Sequence, residues 1–401
     1  MRDVYIVGAG MTPFRRNPET TLRALATGAV AEAVRDANIT MAEVNTVYFA
    51  NAAHGLIHGQ EMIRGQVALR DSGLTGQAVV NVENACASGS TAAHLACTAV
   101  ASEAVDVALV VGAEQMSHPD RSRSLAAIGT AVDIGEVETL RTKLHSETGS
   151  ASSRSLFMDI YADQARRYLD STAATAQDFA ELTVKNRGHA ALNPFAQRRD
   201  ALTVDEVLAS RSIAGPLTLP MCSPIGDGAA ALVVASRRVA ERSPAPLVRL
   251  VASCLVSGQT DGASPSAERR AANAAYASAG IGPGDVDVIE LHDAAAPAEL
   301  TILEELGICP PGEAVHLSRS GATRLGGRIP VNTSGGLVSR GHPLGATGCA
   351  QLVELVTQLR GAAGPRQIAG ARVGLAENAG GHLGPDPAAV CVTMVQKVDR
   401  R

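Results

Sequence analysis

Apolar and polar positions along the chain follow two alternating periods. Val4-Tyr5-Ile6-Val7 is a continuous apolar run of strand length. Leu22, Leu25, Ala26, Ala29, Val30 and Ala33 then recur at helical spacing, and residues 46–50 read as a second strand. The order continues through a strand at 79–82, a helix over 91–101 and an apolar strand at 105–111. Strands that are apolar throughout belong to a sheet covered on both faces, so the pattern predicts a layered α/β fold. From about residue 112 to 219 it gives way to polar loops and amphipathic helices, clearest at 157–167 and 175–191, and reads as an insertion. Strand character returns at 229–235, and Ser243-Pro244-Ala245-Pro246 reads as a linker.

Beyond the linker the first half is restated. Strands are expected at 248–251, 286–291, 329–332, 373–376 and 389–396, with helices at 267–279 and 296–306 and another opening near His342. An internal duplication of roughly 150 residues accounts for this order. The expected division is an N-terminal half over 1–245, with the insertion at about 112–219, and a C-terminal half over 246–401.

Composition narrows the function classes. Hydrophobic residues make up 46% of the 401, yet aromatics only 2% with no Trp, so packing must rely on small aliphatic side chains that let helices lie close to sheets. A net charge of −5 without a long basic run argues against nucleic-acid binding. Seven scattered cysteines with no Cys-x-x-Cys pair suggest neither a disulfide framework nor a zinc site, so no metal is expected. No apolar run has membrane-spanning length, and the chain enters a strand at once, which reads as cytoplasmic.

Candidate chemistry gathers at the ends of predicted strands. Cys86 heads a run of small residues between the strand at 79–82 and the helix that follows, where unpaired helix N–H groups should favour a thiolate. Gly341-His342-Pro343-Leu344-Gly345-Ala346-Thr347-Gly348 repeats that design with an imidazole leading, so a nucleophile and a base can meet across the two halves. Its glycines, with Gly335-Gly336, are expected to form a site floor that approaches a ligand closely. His292-Asp293 ends another strand, where an imidazole can donate to an oxyanion. Residues 377–386 are expected to form a loop between the last two strands, supplying N–H groups at Gly380 and Gly381 and a proton carrier in Glu377 or His382. Gly8-Ala9-Gly10 resembles a dinucleotide turn, but Pro13 at the third glycine position lacks the N–H a pyrophosphate needs, and a tight turn suffices.

These segments, taken in order with Ala113-Glu114-Gln115-Met116-Ser117, Asp227-Gly228-Ala229-Ala230-Ala231 and Asn332-Thr333-Ser334-Gly335-Gly336, resemble the thiolase family over nearly the whole chain. The His-Asp pair is similar to that of the sterol-carrier-protein type, or of relatives that work with a small OB-fold and zinc-ribbon partner subunit. The resemblance implies a duplicated five-layered α/β/α/β/α thiolase fold that dimerises, acyl-CoA and coenzyme A as substrates, and no bound cofactor. It implies Cys86 as acyl-accepting nucleophile and His342 as its base. His292 and His342 would hold the thioester enolate, and the N–H groups of Cys86 and the Gly380-Gly381 loop a tetrahedral oxyanion. Two departures stand out. Glu377 occupies the place of the family's second cysteine, and Ala294-Ala295 follow His292-Asp293 where a cysteine and a bulky aromatic are usual, which leaves volume for a branched or aromatic acyl chain. The expected activity is thiolysis of a 3-oxoacyl-CoA or the reverse condensation. Alternatives are an aldolase or non-CoA acyltransferase on this fold, and a non-catalytic acyl-CoA-binding scaffold subunit.

Overall fold

The central apolar runs form strands because, covered on both faces, they need no polar side toward water, whereas the edge run at 78–82 is largely exposed. The computed structural model describes residues 2–148, 155–262 and 264–399. Apart from a short hairpin of Ser212–Ala214 with Leu217–Thr218, its strands are β1 (Val4–Met11), β2 (Thr46–Ala50), β3 (Ala78–Val82), β4 (Val107–Gln115), β5 (Asp227–Ser236), β6 (Leu247–Ser257), β7 (Val288–Glu290), β8 (Val373–Gly380) and β9 (Ala389–Val398). They form one nine-stranded sheet in the order β3-β2-β4-β5-β1-β6-β9-β8-β7. In each half a parallel set, β3-β2-β4 or β7-β8, meets an antiparallel pair, β5-β1 or β9-β6. The halves join where β1 pairs antiparallel with β6, Val4 opposite Leu250. Residues 329–332 do not form the expected strand. Val331 makes a single parallel bridge to Ile289, at the edge position that β3 holds in the first half.

The helices used below are α1 (Leu22–Ala37), α2 (Ser88–Ala101), α3 (Leu156–Ser171), α4 (Ala176–Ala191), α5 (Ala267–Ala279), α6 (Ala298–Glu305), α7 (Gly336–Arg340) and α8 (Thr347–Leu359). α1 starts where the Thr21 hydroxyl caps the Ala24 N–H at 3.2 Å, and its buried Leu22, Leu25, Ala26, Ala29 and Ala33 cover β1, β4 and β5. α5 covers β6 and β9 from the other outer side, while α2 and α8 touch each other and strands of both halves. Helix, half-sheet, central helices, half-sheet and helix therefore alternate as five layers, which is the thiolase arrangement expected. Gly8 and Gly10 lie within β1 under α1, not in a turn. Among the described residues no helix is long and apolar enough to cross a membrane.

The small residues of the two central helix starts have a packing cause. A Cβ on Gly348 would stand 2.4 Å from the Ser90 nitrogen and 2.5 Å from Asn378 Oδ1, and one on Gly89 would stand 2.7 Å from the Gly345 carbonyl oxygen. The expected close approach to a ligand is instead the crossing of one helix start over the other. That crossing brings the Cys86 and His342 segments together.

Candidate active site

β3 ends at Val82, and the chain reverses through Ala85, a non-glycine residue held at φ 49°. Cys86 occupies the 3₁₀ turn Ala85–Ala87 that runs into α2. Ser88 Oγ donates to the Ala85 carbonyl at 2.6 Å and accepts from the Asn84 N–H at 2.9 Å, which braces the turn. The end of β8 crosses so close that a Cβ on Gly380 would lie 2.3 Å from the Asn84 carbonyl oxygen. This approach lets the N–H of Gly381, with that of Cys86 itself, donate to the sulfur. The expected thiolate does not form unaided: burial first, then the nearby Glu114 carboxylate, pushes the Cys86 thiol up to about 12. The helix start cannot offset the loss of water, so Cys86 needs a base.

His342 stands within reach, one of its ring nitrogens lying within 4.8 Å of the Cys86 sulfur. It sits two residues ahead of the 3₁₀ turn Leu344–Ala346 that leads into α8, so it precedes that helix and does not open it. Its Nδ1 lies 2.7 Å from Thr347 Oγ1, whose own hydrogen goes to the Pro343 carbonyl at 3.0 Å. The hydroxyl therefore accepts from Nδ1–H, and Nε2 keeps a lone pair. Glu114 ties this segment to the other half, its Oε2 accepting from the N–H groups of Ala52 at 2.8 Å and Gly345 at 3.1 Å.

His292 carries the opposite tautomer. The Asn378 amide lies with Nδ2 3.0 Å from His292 Nδ1 and Oδ1 2.8 Å from Ser90 Oγ, whose one hydrogen is shared between that oxygen and the Ala87 carbonyl at 2.9 Å. A ring nitrogen facing an amide N–H is the unprotonated one, and the proton of a neutral His292 then sits on Nε2. Burial, aided by Arg340, holds His292 down to about 3. It holds His342 well below the usual histidine value too, with His292 and Arg340 adding to the effect. The two rings meet edge to face, centroids 5.0 Å apart. One neutral imidazole thus offers a lone pair and the other an N–H donor.

Glu377 and Asn378 belong to β8, not to a loop; the strand runs on to Gly380 because all eight of its residues pair with β9. Glu377 is fully buried, its Oε2 accepts from the His292 N–H at 2.9 Å, and its Oε1 has no partner. Burial raises its carboxyl to about 8. His382 follows on the loop, its N–H bonded to the Ala131 carbonyl at 2.9 Å. The structure brings Cys86, His292, His342 and the Gly381 N–H together, with Gly380 making room for them, while Glu377 joins this group through its bond to the His292 backbone N–H.

The insertion holds the histidines in place. From α4, Asn186 Nδ2 donates to Asp293 Oδ2 at 2.9 Å, and Arg187 Nε to Ser339 Oγ at 3.2 Å. His189 Nδ1 meets the Asn332 carbonyl at 3.0 Å, and just past the helix Asn193 Nδ2 donates to the Ser334 carbonyl at 2.9 Å. Asp293 Oδ1 accepts the Leu337 N–H at 2.6 Å, so one carboxyl braces the turn of His292 and the lead-in to His342. Sequence reading missed Asn378, Thr347 and these α4 residues. Two of them left a signal, Asn378 as the polar neighbour of Glu377 and Thr347 as the hydroxyl within the His342 motif.

The Cys86 sulfur and one ring nitrogen of each histidine lie within 4.8 Å of one another. A zinc tetrahedron built on bonds of about 2.0–2.3 Å has edges of only about 3.5 Å. The trio would have to contract to hold such an ion.

Residues 4–238 match the thiolase N-terminal domain family, and residues 250–392 the thiolase C-terminal domain-like family. The chain is 38% identical over 369 residues to the benzoylsuccinyl-CoA thiolase subunit BbsB of Thauera aromatica, covering 90% of this chain and 89% of that protein. It is 37% identical over 387 residues to the acetyl-CoA acetyltransferase of Methanothermobacter thermautotrophicus, covering 95% and 97%. A solved structure described as an Ltp2-ChsH2(DUF35) aldolase superposes with a TM-score of 0.77 at 24% identity, over 100% of this chain and 98% of that one, a likeness of fold.

Proposed function

The chain belongs to the thiolase family, and on that footing we propose that it cleaves 3-oxoacyl-CoA thioesters with coenzyme A, or condenses them in reverse, through an acyl group carried on Cys86. The observation that carries this reading is the pair of opposed neutral imidazoles beside the thiol. His342 Nε2 takes the Cys86 proton, and the sulfur attacks the 3-oxo carbon. The N–H groups of Cys86 and Gly381 receive the tetrahedral oxyanion. As the C–C bond breaks, the thioester oxygen becomes an enolate held by His292 Nε2–H and the newly protonated His342. Glu377, protonated near neutrality, gives its proton to the enolate carbon. Coenzyme A then enters, its thiol proton returns to Glu377, and its sulfur takes the acyl group from Cys86, which recovers its proton from His342.

A bulky or aromatic acyl chain fits the Ala294-Ala295 pair, and the Thauera relative's name points the same way. That relative is named as a subunit, which supports a small partner protein for this chain as well. The test is mass spectrometry of Cys86 after incubation with a panel of 3-oxoacyl-CoA esters without free coenzyme A. An acyl adduct on Cys86 that coenzyme A discharges is expected; turnover without an adduct would overturn the reading.

We also propose a homodimer formed through β3. This edge strand exposes Val80, and Met62 and Ile63, 79% and 59% exposed, lead into the helix Arg64–Leu69 that packs against it. Sedimentation is expected to show two copies. A Val80→Lys, Met62→Lys variant should sediment as one, and an unchanged mass would exclude this face.

A further inference from the structure

Arg340 closes α7 two residues before His342, and Glu290 ends β7 two residues before His292. Their side chains meet. Arg340 Nη1 donates to Glu290 Oε2 at 3.1 Å, and both residues are at most 1% exposed. The same carboxylate accepts from the Ser334 N–H at 2.9 Å and from Ser334 Oγ at 2.5 Å, while Ser334 Oγ accepts from Arg340 Nη1 at 3.1 Å. Glu290, Ser334 and Arg340 thus close a triangle of hydrogen bonds across the two segments that carry the imidazoles. Glu354 on α8, which shares the Thr333 hydroxyl with Glu290, has its own cation in Arg366, with Nε at 3.1 Å and Nη2 at 2.9 Å. Among the described residues Arg340 is therefore the one cation bonded to Glu290.

A buried pair of this kind adds little stability over apolar side chains of similar volume, because both charges lose their water. Packing does not account for it either. Arg340 Nε and Nη2 are buried without a hydrogen-bond partner, and the Phe14 ring lies 5.8 Å from the guanidinium carbon. What the pair fixes is position. Gly341, between Arg340 and His342, holds φ 108°, a conformation that glycine tolerates, so the chain there does not itself dictate where the ring goes. The anchors on either side do. Beyond the ring stands Thr347. Before it stands Arg340, whose carbonyl accepts the Gln197 N–H at 3.0 Å and whose guanidinium is tied to the strand of His292.

We propose that Arg340 and Glu290 are positioning residues, a buried clip that holds the His292 and His342 segments at the one spacing where the rings meet edge to face and the base reaches Cys86. The inference rests on the roles proposed above for the two histidines. The clip itself bonds no substrate and carries no proton; it acts through the imidazoles.

The test sets turnover against stability. Arg340→Met leaves the Glu290 carboxylate buried without its cation and is expected to lower both kcat and the melting temperature. Combining Arg340→Met with Glu290→Gln removes both charges and keeps an acceptor for the Ser334 N–H, so melting should return close to that of wild type. Its kcat for thiolysis should nevertheless stay down by about a hundredfold with KM within about threefold, the scale of loss when a reacting group is misplaced by about 1 Å. Arg340→Lys should keep the wild-type melting temperature and recover most of kcat, because one nitrogen makes both of the Arg340 bonds and an ammonium can do the same. A double variant whose kcat returns together with its melting temperature would overturn the clip and leave the pair as a fold element. An Arg340→Lys enzyme that melts like wild type but is as slow as Arg340→Met would overturn it too. The comparison of kcat needs no acyl adduct, so the two claims fail separately. Wild-type turnover without an adduct on Cys86 overturns the covalent reading, whereas recovered kcat in the double variant overturns the clip alone.

Discussion

A Cys86→Ser enzyme is expected to accumulate no acyl intermediate and to lose thiolysis by roughly four orders of magnitude or more, the scale seen when a covalent nucleophile is removed. The exchange of one atom at a turn already braced by Ser88 leaves the fold intact, so the loss is chemical. The starting point is a thiol that burial has pushed up to about 12. A serine hydroxyl is harder still to ionise, and a neutral imidazole of low basicity cannot prepare it. The same thiol defines what His342→Ala should do. Without the Nε2 lone pair only thiolate already present can react. That fraction grows tenfold with each pH unit as long as the pH stays below about 12. Acylation in His342→Ala should therefore start far below wild type at pH 7 and climb steeply toward pH 9.5. Wild type should lack this slope, because its His342 is held well below the usual histidine value and is a free base throughout that range. Stopped-flow acylation rates across that interval distinguish the two. A flat profile in His342→Ala would mean that the imidazole binds the oxyanion and does not accept the proton.

The sequence was most legible where a residue's role depends on its place along one strand or helix. Continuous apolar runs located the strands, and the repeated order of elements located the matching ends of two half-sheets, where Cys86, His292 and His342 meet. Features that depend on contacts between distant segments were not legible. The glycines around His342 looked like a ligand floor, but Gly348 is small because α2 crosses within contact of it, and Gly345 because the end of β2 at Ala50-Asn51 does. Glu377 looked like a loop residue because glycines follow it, whereas β9 pairs with it and carries the strand to Gly380. The helix start at Cys86 suggested a thiolate, yet the layers stacked around it remove the water a thiolate would need. No local pattern encodes that burial.

The tautomers were hidden for the same reason. Thr347 is five residues from His342 and could be guessed as a partner, but Ser90 and Asn378 are 288 residues apart, and only their contact orients the amide that sets His292. The inserted segment read only as polar loops and amphipathic helices, and its α4 turns out to grip Asp293 and the lead-in to His342 through buried polar groups. A unit inserted within the first half, between β4 and β5, thereby braces imidazoles carried by the second.

His292→Ala should separate the two halves of the chemistry. In the mechanism proposed above its Nε2–H meets charge that only C–C cleavage or formation develops, on the enolate oxygen of the departing thioester. Acyl transfer between Cys86 and coenzyme A instead develops its oxyanion at the N–H groups of Cys86 and Gly381. Removing one such donor costs about a hundredfold to a thousandfold, or roughly 3–4 kcal/mol, when the donor is preorganised and shielded from water. Both conditions hold here: the ring is 3% exposed, and Asn378 fixes its proton on the inner nitrogen. Thiolysis of a 3-oxoacyl-CoA should fall by that factor, while exchange of labelled coenzyme A into a simple acyl-CoA should fall less than about tenfold. His292→Gln, which returns an N–H donor on a side chain of similar reach, should recover part of the lost thiolysis. Equal losses in thiolysis and exchange would place His292 in general substrate positioning. A full loss that glutamine does not relieve would instead point to collapse of the Asn378 contact, which leaves a buried amide N–H without an acceptor.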